Sequence, residues 1–413
     1  LKKRSNSQPL DAFIEHLKNK RRFLKVLLAF GVLLMLYSVF NFAAIFEFIN
    51  RFRNRFKSSP QIPPDHKRVE TSLPERGDRV SVEMALNSRC TSDYDDNPNL
   101  FHWGMFDKQR KLSEAQLNAI SSLVNIPCFT SNHLDIVRKN NSFTFSIGNQ
   151  TFTAEKDWLM VESGMQQQAL SLVCAALGVG IIFKNMGTNG TPQSDGSLKL
   201  IRMKLDAMKP SYDGSYWTAS PPAGKRRWLP GNLPDPLRDG TRPLLDILSK
   251  LKTENAGNKA ADGRAVGQLL WAGRGRTPHR YKSREWGMTI PTWAGLQNLT
   301  CLYFCLNGRL YQYVNWKKNR PTHLLEETGS VDRNLSELLD MLLPGYNAFI
   351  ILSKTENSLR SLWEIGYQLL NIKLQAAAWS LNHTSVLLSG DQKIGFQKAP
   401  IQDPVAVVAF RKQ

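Results

Sequence analysis

ESGMQQQALSLVCAA, residues 162–176, and EIGYQLLNIKLQAAA, residues 364–378, together decide how this chain is organised. Glu162, Gly164, Gln166, Leu172, Ala175 and Ala176 recur as Glu364, Gly366, Gln368, Leu374, Ala377 and Ala378, all at one offset. A shared offset over six positions marks a repeat, and a repeat constrains the fold more than any isolated motif. Both segments read as buried amphipathic helices.

The repeat extends outward. IPCFTSNHL, beginning at Ile126, parallels IPTWAGLQN, beginning at Ile290, with Pro127 over Pro291 and Phe129 over Trp293. Each is followed by a predicted hairpin. In the first half it is FTFSIGNQTF around Gly148; in the second it is LYFCLNGRLYQY, where Asn307-Gly308 is a strong type I′ signal. Further upstream, VEMALNSR near Glu83 pairs with LLDILSK near Leu245, and SEAQLNAISSLV after Ser113 pairs with GRAVGQLLWAG after Gly263, all as helices. A last strand is expected at Val405 to Phe410. Clustered strands among helices predict an α+β fold rather than a doubly wound parallel sheet. Two homologous halves predict an intramolecular pseudo-dimer with its site between them.

At 413 residues the chain is long enough for two or three domains, and its 42% hydrophobic content excludes a disordered or collagenous protein. The 54 basic against 35 acidic residues give +19, which would suit an anionic partner. The charge is not evenly spread. Up to Lys57 there are twelve Lys or Arg against Asp11, Glu15 and Glu47. They flank VLLAFGVLLMLYSVFNFAAIF, Val26 to Phe46, an uncharged run long enough to cross a bilayer as a helix. Cations on both sides leave its orientation open, and Arg51, Arg53, Arg55 and Lys57 alternate with Phe48, Phe52 and Phe56 as an interfacial helix would. Cys90, Cys128, Cys174, Cys301 and Cys305 are odd in number, and the last two would lie about 13 Å apart on one strand, too far to bridge. The uncharged run predicts a single-pass membrane protein, and the free thiols favour the cytoplasmic side for its soluble part.

The chain therefore divides into a basic segment 1–25, a transmembrane helix 26–49, a proline-bearing linker 50–77, a first half 78–217, a Pro/Gly-rich linker 218–243 and a second half 244–413. The seven histidines have no metal-ligand spacing, and no metal is expected. Gly178-Val179-Gly180 reads as a helix C-cap rather than a dinucleotide fingerprint. RGRTPHRYKSR, 274–284, suits a solvated loop, a phosphorylated cofactor such as NADPH, or nucleic acid; the last is not expected.

The second half resembles the nitroreductase superfamily of flavin enzymes, particularly its branch of azole-forming peptide dehydrogenases. QLLWAGRGR from Gln268 looks like that branch's helix-ending signature, PTWAGLQN from Pro291 is similar to the family's flavin loop, and the hairpin precedes a Gly-x-Gln helix. The resemblance covers Leu244 to the C-terminus and, more faintly, Val80 to Phe183. It implies an FMN site at the junction of the halves, with the chemistry borne by the flavin and none by a catalytic side chain. Implied ring contacts are Thr292, Gly295 and Gln297; implied phosphate contacts are Arg89, Lys250, Lys252, Arg411 and Lys412, and in the family's arrangement Arg89 would meet the Pro291-Thr292 loop while Lys250 and Arg411 would meet the Pro127-Cys128 loop. The family's Arg-x-Ser-x-Arg phosphate grip is reduced here to Ser88-Arg89-Cys90-Thr91-Ser92 and Lys250-Leu251-Lys252-Thr253.

Two expectations follow. One is a membrane-anchored FMN oxidoreductase passing hydride between NAD(P)H and a small-molecule or peptide substrate. The other is a non-catalytic scaffold or assembly subunit on the same fold.

Overall fold

The computed structural model describes residues 80–89, 93–94, 111–124, 134–148, 156–185, 191–195, 197–207, 231–251, 257–277, 287–291 and 299–413. The expected membrane helix at 26–49 and its flanking segments lie outside them. Among the described residues no helix is long and apolar enough to cross a membrane.

The first half contains α1 (Val82–Ser88), β1 (Asp93–Tyr94), α2 (Glu114–Val124), β2 (Leu134–Lys139), β3 (Ser142–Ile147), α3 (Lys156–Leu177), β4 (Val179–Asn185), β5 (Thr191–Pro192) and β6 (Leu198–Ala207). The second contains α4 (Leu244–Leu251), α5 (Gly263–Arg274), β7 (Arg276–Thr277), β8 (Gly287–Met288), β9 (Thr300–Leu306), β10 (Arg309–Lys317), β11 (Arg320–Ser330), α6 (Arg333–Leu342), β12 (Ala348–Lys354), α7 (Leu359–Ala378), β13 (His383–Leu387), α8 (Gly390–Ile394) and β14 (Pro404–Phe410). The architecture is α+β.

Among the described residues each half builds one six-stranded sheet, and β7 and β8 form a separate two-stranded pair in the second half. The first runs β1-β4-β6-β3-β2, with β5 on β6; the second runs β11-β10-β9-β12-β14-β13. The repeat is visible in the strand order. In both halves the strand before the long helix, β3 or β12, pairs antiparallel with the last strand, β6 or β14, which pairs antiparallel with the strand after the helix, β4 or β13. On the other side β2 pairs β3 as β9 pairs β12. The second half inserts β10, β11 and α6 between the members of that pair.

This order corrects the first predicted hairpin. Its turn is Asn140-Asn141, which joins Lys139 to Ser142, and Gly148 merely follows β3. Asn140 takes φ 55°, a left-handed conformation that asparagine tolerates better than most residues. FTFSI is thus a single strand, buried at Phe143, Phe145 and Ile147. The second hairpin turns at Asn307-Gly308 with φ 50° and 71°, as a type I′ turn requires. Gly178 ends α3 with φ 69°, the C-cap expected there.

Residues 72–413 form one compact unit, so the halves are not separate bodies. Their cores merge where α3 lies against α7. The entry strands of α1 and α4 also meet: the Val82 amide donates to the Arg242 carbonyl (3.2 Å) and the Leu244 amide to the Val80 carbonyl (2.9 Å). These reciprocal bonds join equivalent helix starts. Glu83 of α1 then crosses to the second half, accepting from Gln375 Nε2 (2.6 Å) and Trp379 Nε1 (2.9 Å).

Residues 231–243, the end of the predicted 218–243 linker, lie along the body. Asn232 exchanges two hydrogen bonds with the Leu325 backbone, and Leu237 exchanges two with the Gln268 side chain. At Gly240 a Cβ would overlap the Glu83 carboxylate, so a side chain there would have to displace Glu83 from its present place.

Candidate functional site

Helix α5 begins at an Asp262 cap, whose carboxylate accepts from the Ala265 amide (2.7 Å), and ends at Arg274. The chain turns there and pairs back as β7 with β8, Arg276 opposite Met288. The Thr289 amide donates to the Gly275 carbonyl (3.0 Å), which sets the strand leading to Pro291 beside the end of α5. Trp271 Nε1 donates to the Arg276 carbonyl (3.0 Å) and tightens the same corner.

Three side chains converge on the Thr289 carbonyl. Arg89 Nε donates at 3.0 Å, Gln168 Nε2 at 3.1 Å and Asn371 Nδ2 at 3.2 Å. Arg89 Nη2 also donates to the Met288 carbonyl (2.8 Å). Arg89 follows α1, Gln168 lies on α3 and Asn371 on α7, so both halves grip one peptide group. Gln168 Nε2 also reaches Asn371 Oδ1 (2.9 Å), and Asn371 donates to the Ala272 carbonyl (3.0 Å). All three residues are buried, where hydrogen bonds to a carbonyl are stronger than in water.

A second knot holds Thr300, at the start of β9. Its Oγ1 accepts from Arg274 Nη1 (2.5 Å) and Gln368 Nε2 (2.7 Å), and lies 3.4 Å from Glu364 Oε2. Arg274 and Glu364 form an ion pair at 3.3 Å with side chains 4% and 0% exposed. Thus Thr289 and Thr300, which flank 292–298 in sequence, are both tied to the helices that carry the repeat. Oε1 of Gln168 and Oε1 of Gln368 are buried and accept no hydrogen bond.

Beside α5, on the sheet, Tyr313 Oη lies 2.8 Å from His323 Nδ1. Burial, and secondarily the Arg238 charge, push the His323 imidazole down to about 4. Burial raises the Tyr313 hydroxyl well above the ordinary range despite Arg276 and Arg274 nearby. The Arg276 guanidinium sits 4.7 Å from the Trp316 ring centroid, a cation–π contact.

Of the residues expected from sequence, Arg89 is brought to the foot of the Pro291 segment. Lys252, Thr292, Gly295 and Gln297 lie outside the described residues. Lys250 is exposed in the last turn of α4. Arg411 and Lys412 follow β14, where Arg411 Nε donates to the Gly345 carbonyl (3.2 Å) and the Lys412 backbone pairs with the Asn347 side chain. The Ala261 amide donates to the Arg411 carbonyl (2.6 Å), which places this terminus against the start of α5. Thr289, Thr300, Gln168 and Asn371 were missed. For Gln168 and Asn371 the available signal was a polar residue on a long, largely apolar helix, as with the repeated Glu364 and Gln368; Thr289 and Thr300, outside any helix, carried no such signal. Among the described residues no group of three His, Cys, Asp or Glu could hold a metal ion.

Site and fold define an α+β protein of two repeated halves with a buried polar junction. No protein-family model matches the chain, and no curated protein does. It is similar to the solved structure of a candidate nitroreductase from Anabaena variabilis, at 9% identity and TM-score 0.45, over 66% of this chain and 69% of that one. A candidate nitroreductase from Ralstonia eutropha shares 18% identity at TM-score 0.32, over 44% of this chain and 87% of that one. One from Thermotoga maritima shares 12% at TM-score 0.34, over 86% of this chain and all of that one. At such values the chain's own residues must carry any functional reading.

Proposed function

We propose that the chain is an FMN-dependent oxidoreductase of nitroreductase type, anchored to a membrane through 26–49. It would pass hydride between a reduced nicotinamide and a small-molecule or peptide substrate. The observation that carries this reading is a coincidence of motif and geometry. The first motif segment with the family resemblance, 268–276, lies at the junction of the halves beside residues 287–291, which lead into the second motif, through the Thr289 to Gly275 bond and the β7–β8 pair.

The residues fit a flavin. Gln168 and Gln368 each spend Nε2 on a foot of the 292–298 segment and keep a buried amide oxygen without a donor. A flavin ring offers an imide N–H of the kind such an oxygen accepts. When bound, FMN supplies the hydride chemistry. Thr292 and Gln297 would meet polar edges of the ring, and Gly295 would let the backbone approach it closely. Lys250, Lys252 and Lys412 would neutralise the phosphate as point charges and Arg411 as a planar fork, whereas Arg89, with donors on the Met288 and Thr289 carbonyls, would hold the strand leading to Thr292. The buried walls around Thr289 and Thr300 would exclude water from one side of the ring.

The test is the visible absorption spectrum of the full chain purified in detergent, with and without added FMN. Flavin bands that remain after excess FMN is removed support the reading. A featureless spectrum overturns it in favour of a second one, a non-catalytic scaffold or assembly subunit. One observation favours that alternative: the Arg89 guanidinium, the family-like remnant of the phosphate grip, is buried with two donors on backbone carbonyls.

A further inference from the structure

We infer that Arg89 and Gln168 of the first half, with Asn371 of the second, are positioning residues that fix the strand entering the Pro291 segment, making the first half a built-in partner on which the second half's site depends. The inference rests on the flavin reading only for what that segment would hold. A carbonyl oxygen has two lone pairs, and three buried donors on Thr289 saturate it. Such convergence from three separate elements is not needed to satisfy the backbone, since one donor suffices. Its effect is directional: Thr289 can shift only if the end of α1, α3 and α7 all move. Arg89 contributes most to this, because its planar fork holds two successive carbonyls, Met288 and Thr289, in one orientation. The arginine that the family resemblance assigns to phosphate thus acts in this chain through the backbone of the opposite half.

The experiment is amide hydrogen exchange on the full chain without flavin, reading peptides over 287–291 beside those over 263–274. The variants are Arg89→Met, Arg89→Lys and Gln168→Met. Exchange at 287–291 should rise by at least roughly tenfold in Arg89→Met, which loses two donors, since one good hydrogen bond alone corresponds to about that factor. It should rise less in Arg89→Lys, where one donor is restored, while α5 stays as protected as in the wild type. The affinity for added FMN should fall in the same order. Unchanged exchange at 287–291 overturns the inference, as does a rise spread evenly over the whole unit, which marks a merely structural role. Should Arg89→Met fail to fold, Arg89→Lys and Gln168→Met are compared with the wild type at the same peptides, with the same outcomes deciding. If the wild type takes no FMN and the local exchange still rises, the positioning role stands and the flavin reading falls.

Discussion

Gly164 and Gly366 face each other where α3 crosses α7: a methyl carbon on Gly366 would lie 2.9 Å from the Gly164 Cα and closer still to the Val161 carbonyl. The same is true in reverse, since a Cβ on Gly164 would overlap the Trp363 backbone. Two residues at equivalent places in a sequence repeat are thus each other's neighbours, as a two-fold relation between the halves requires. Close approach of the helix backbones then lets Tyr367 Oη reach Gln167 Oε1 (2.5 Å) and brings Gln168 to Asn371.

Gly366→Ala should destabilise the protein by about 3 kcal/mol, the upper range for overpacking a tight core, because the obstacle is backbone. Gly164→Ala should behave alike. Gly263→Ala is the control: a Cβ there meets nothing within 4 Å, and alanine favours the first turn of α5. Urea unfolding midpoints separate these expectations.

Glu364→Ala should cost about 3–5 kcal/mol, since it takes the carboxylate away from a buried guanidinium. Arg333→Ala removes an i,i+4 pair with Glu337 whose side chains are 89% and 61% exposed, and should change stability by less than about 0.5 kcal/mol. Chemical denaturation of both variants gives the comparison.

His323 makes stability pH-dependent. Its folded value, near 4, lies below the ordinary histidine value of about 6.5, so between these limits the unfolded chain binds more protons. The contribution is present in full above about pH 6.5 and is lost as pH falls toward 4, on the order of 3 kcal/mol in total. Unfolding curves from pH 7 to 4 should be flatter for His323→Asn than for the wild type.

The described thiols should be inert. Burial raises Cys301 and Cys174, and pushes Cys305 up to about 12, so that at pH 8 only about one Cys305 in ten thousand is thiolate. Alkylation mapped by mass spectrometry should label Cys174, Cys301 and Cys305 slowly in native protein and fast in urea. Rapid native labelling of Cys305 would contradict its burial.

Much of this was legible from local pattern. The helices at Val82–Ser88, Glu114–Val124, Leu244–Leu251 and Gly263–Arg274, the turn at Asn307-Gly308, the cap at Gly178 and the strand ending at Phe410 follow from periodicity and from residues tolerating a positive φ. The first hairpin was misplaced because Gly148 is the stronger turn residue on its own, whereas pairing of Arg138 with Phe143 and Lys139 with Ser142 selects Asn140-Asn141. A turn type depends on which strands pair, and that is non-local.

The repeat at 162–176 and 364–378 predicted two similar halves and two buried helices, because spacing and identity are properties of the chain alone. It could not establish that Gly164 would press on Gly366, that Arg89 would grip Thr289, or that the equivalents of β2 and β3 would be parted by an inserted hairpin and helix. Those relationships join residues far apart in sequence, and their energies come from desolvated hydrogen bonds and close backbone contact, which exist only once both halves have packed.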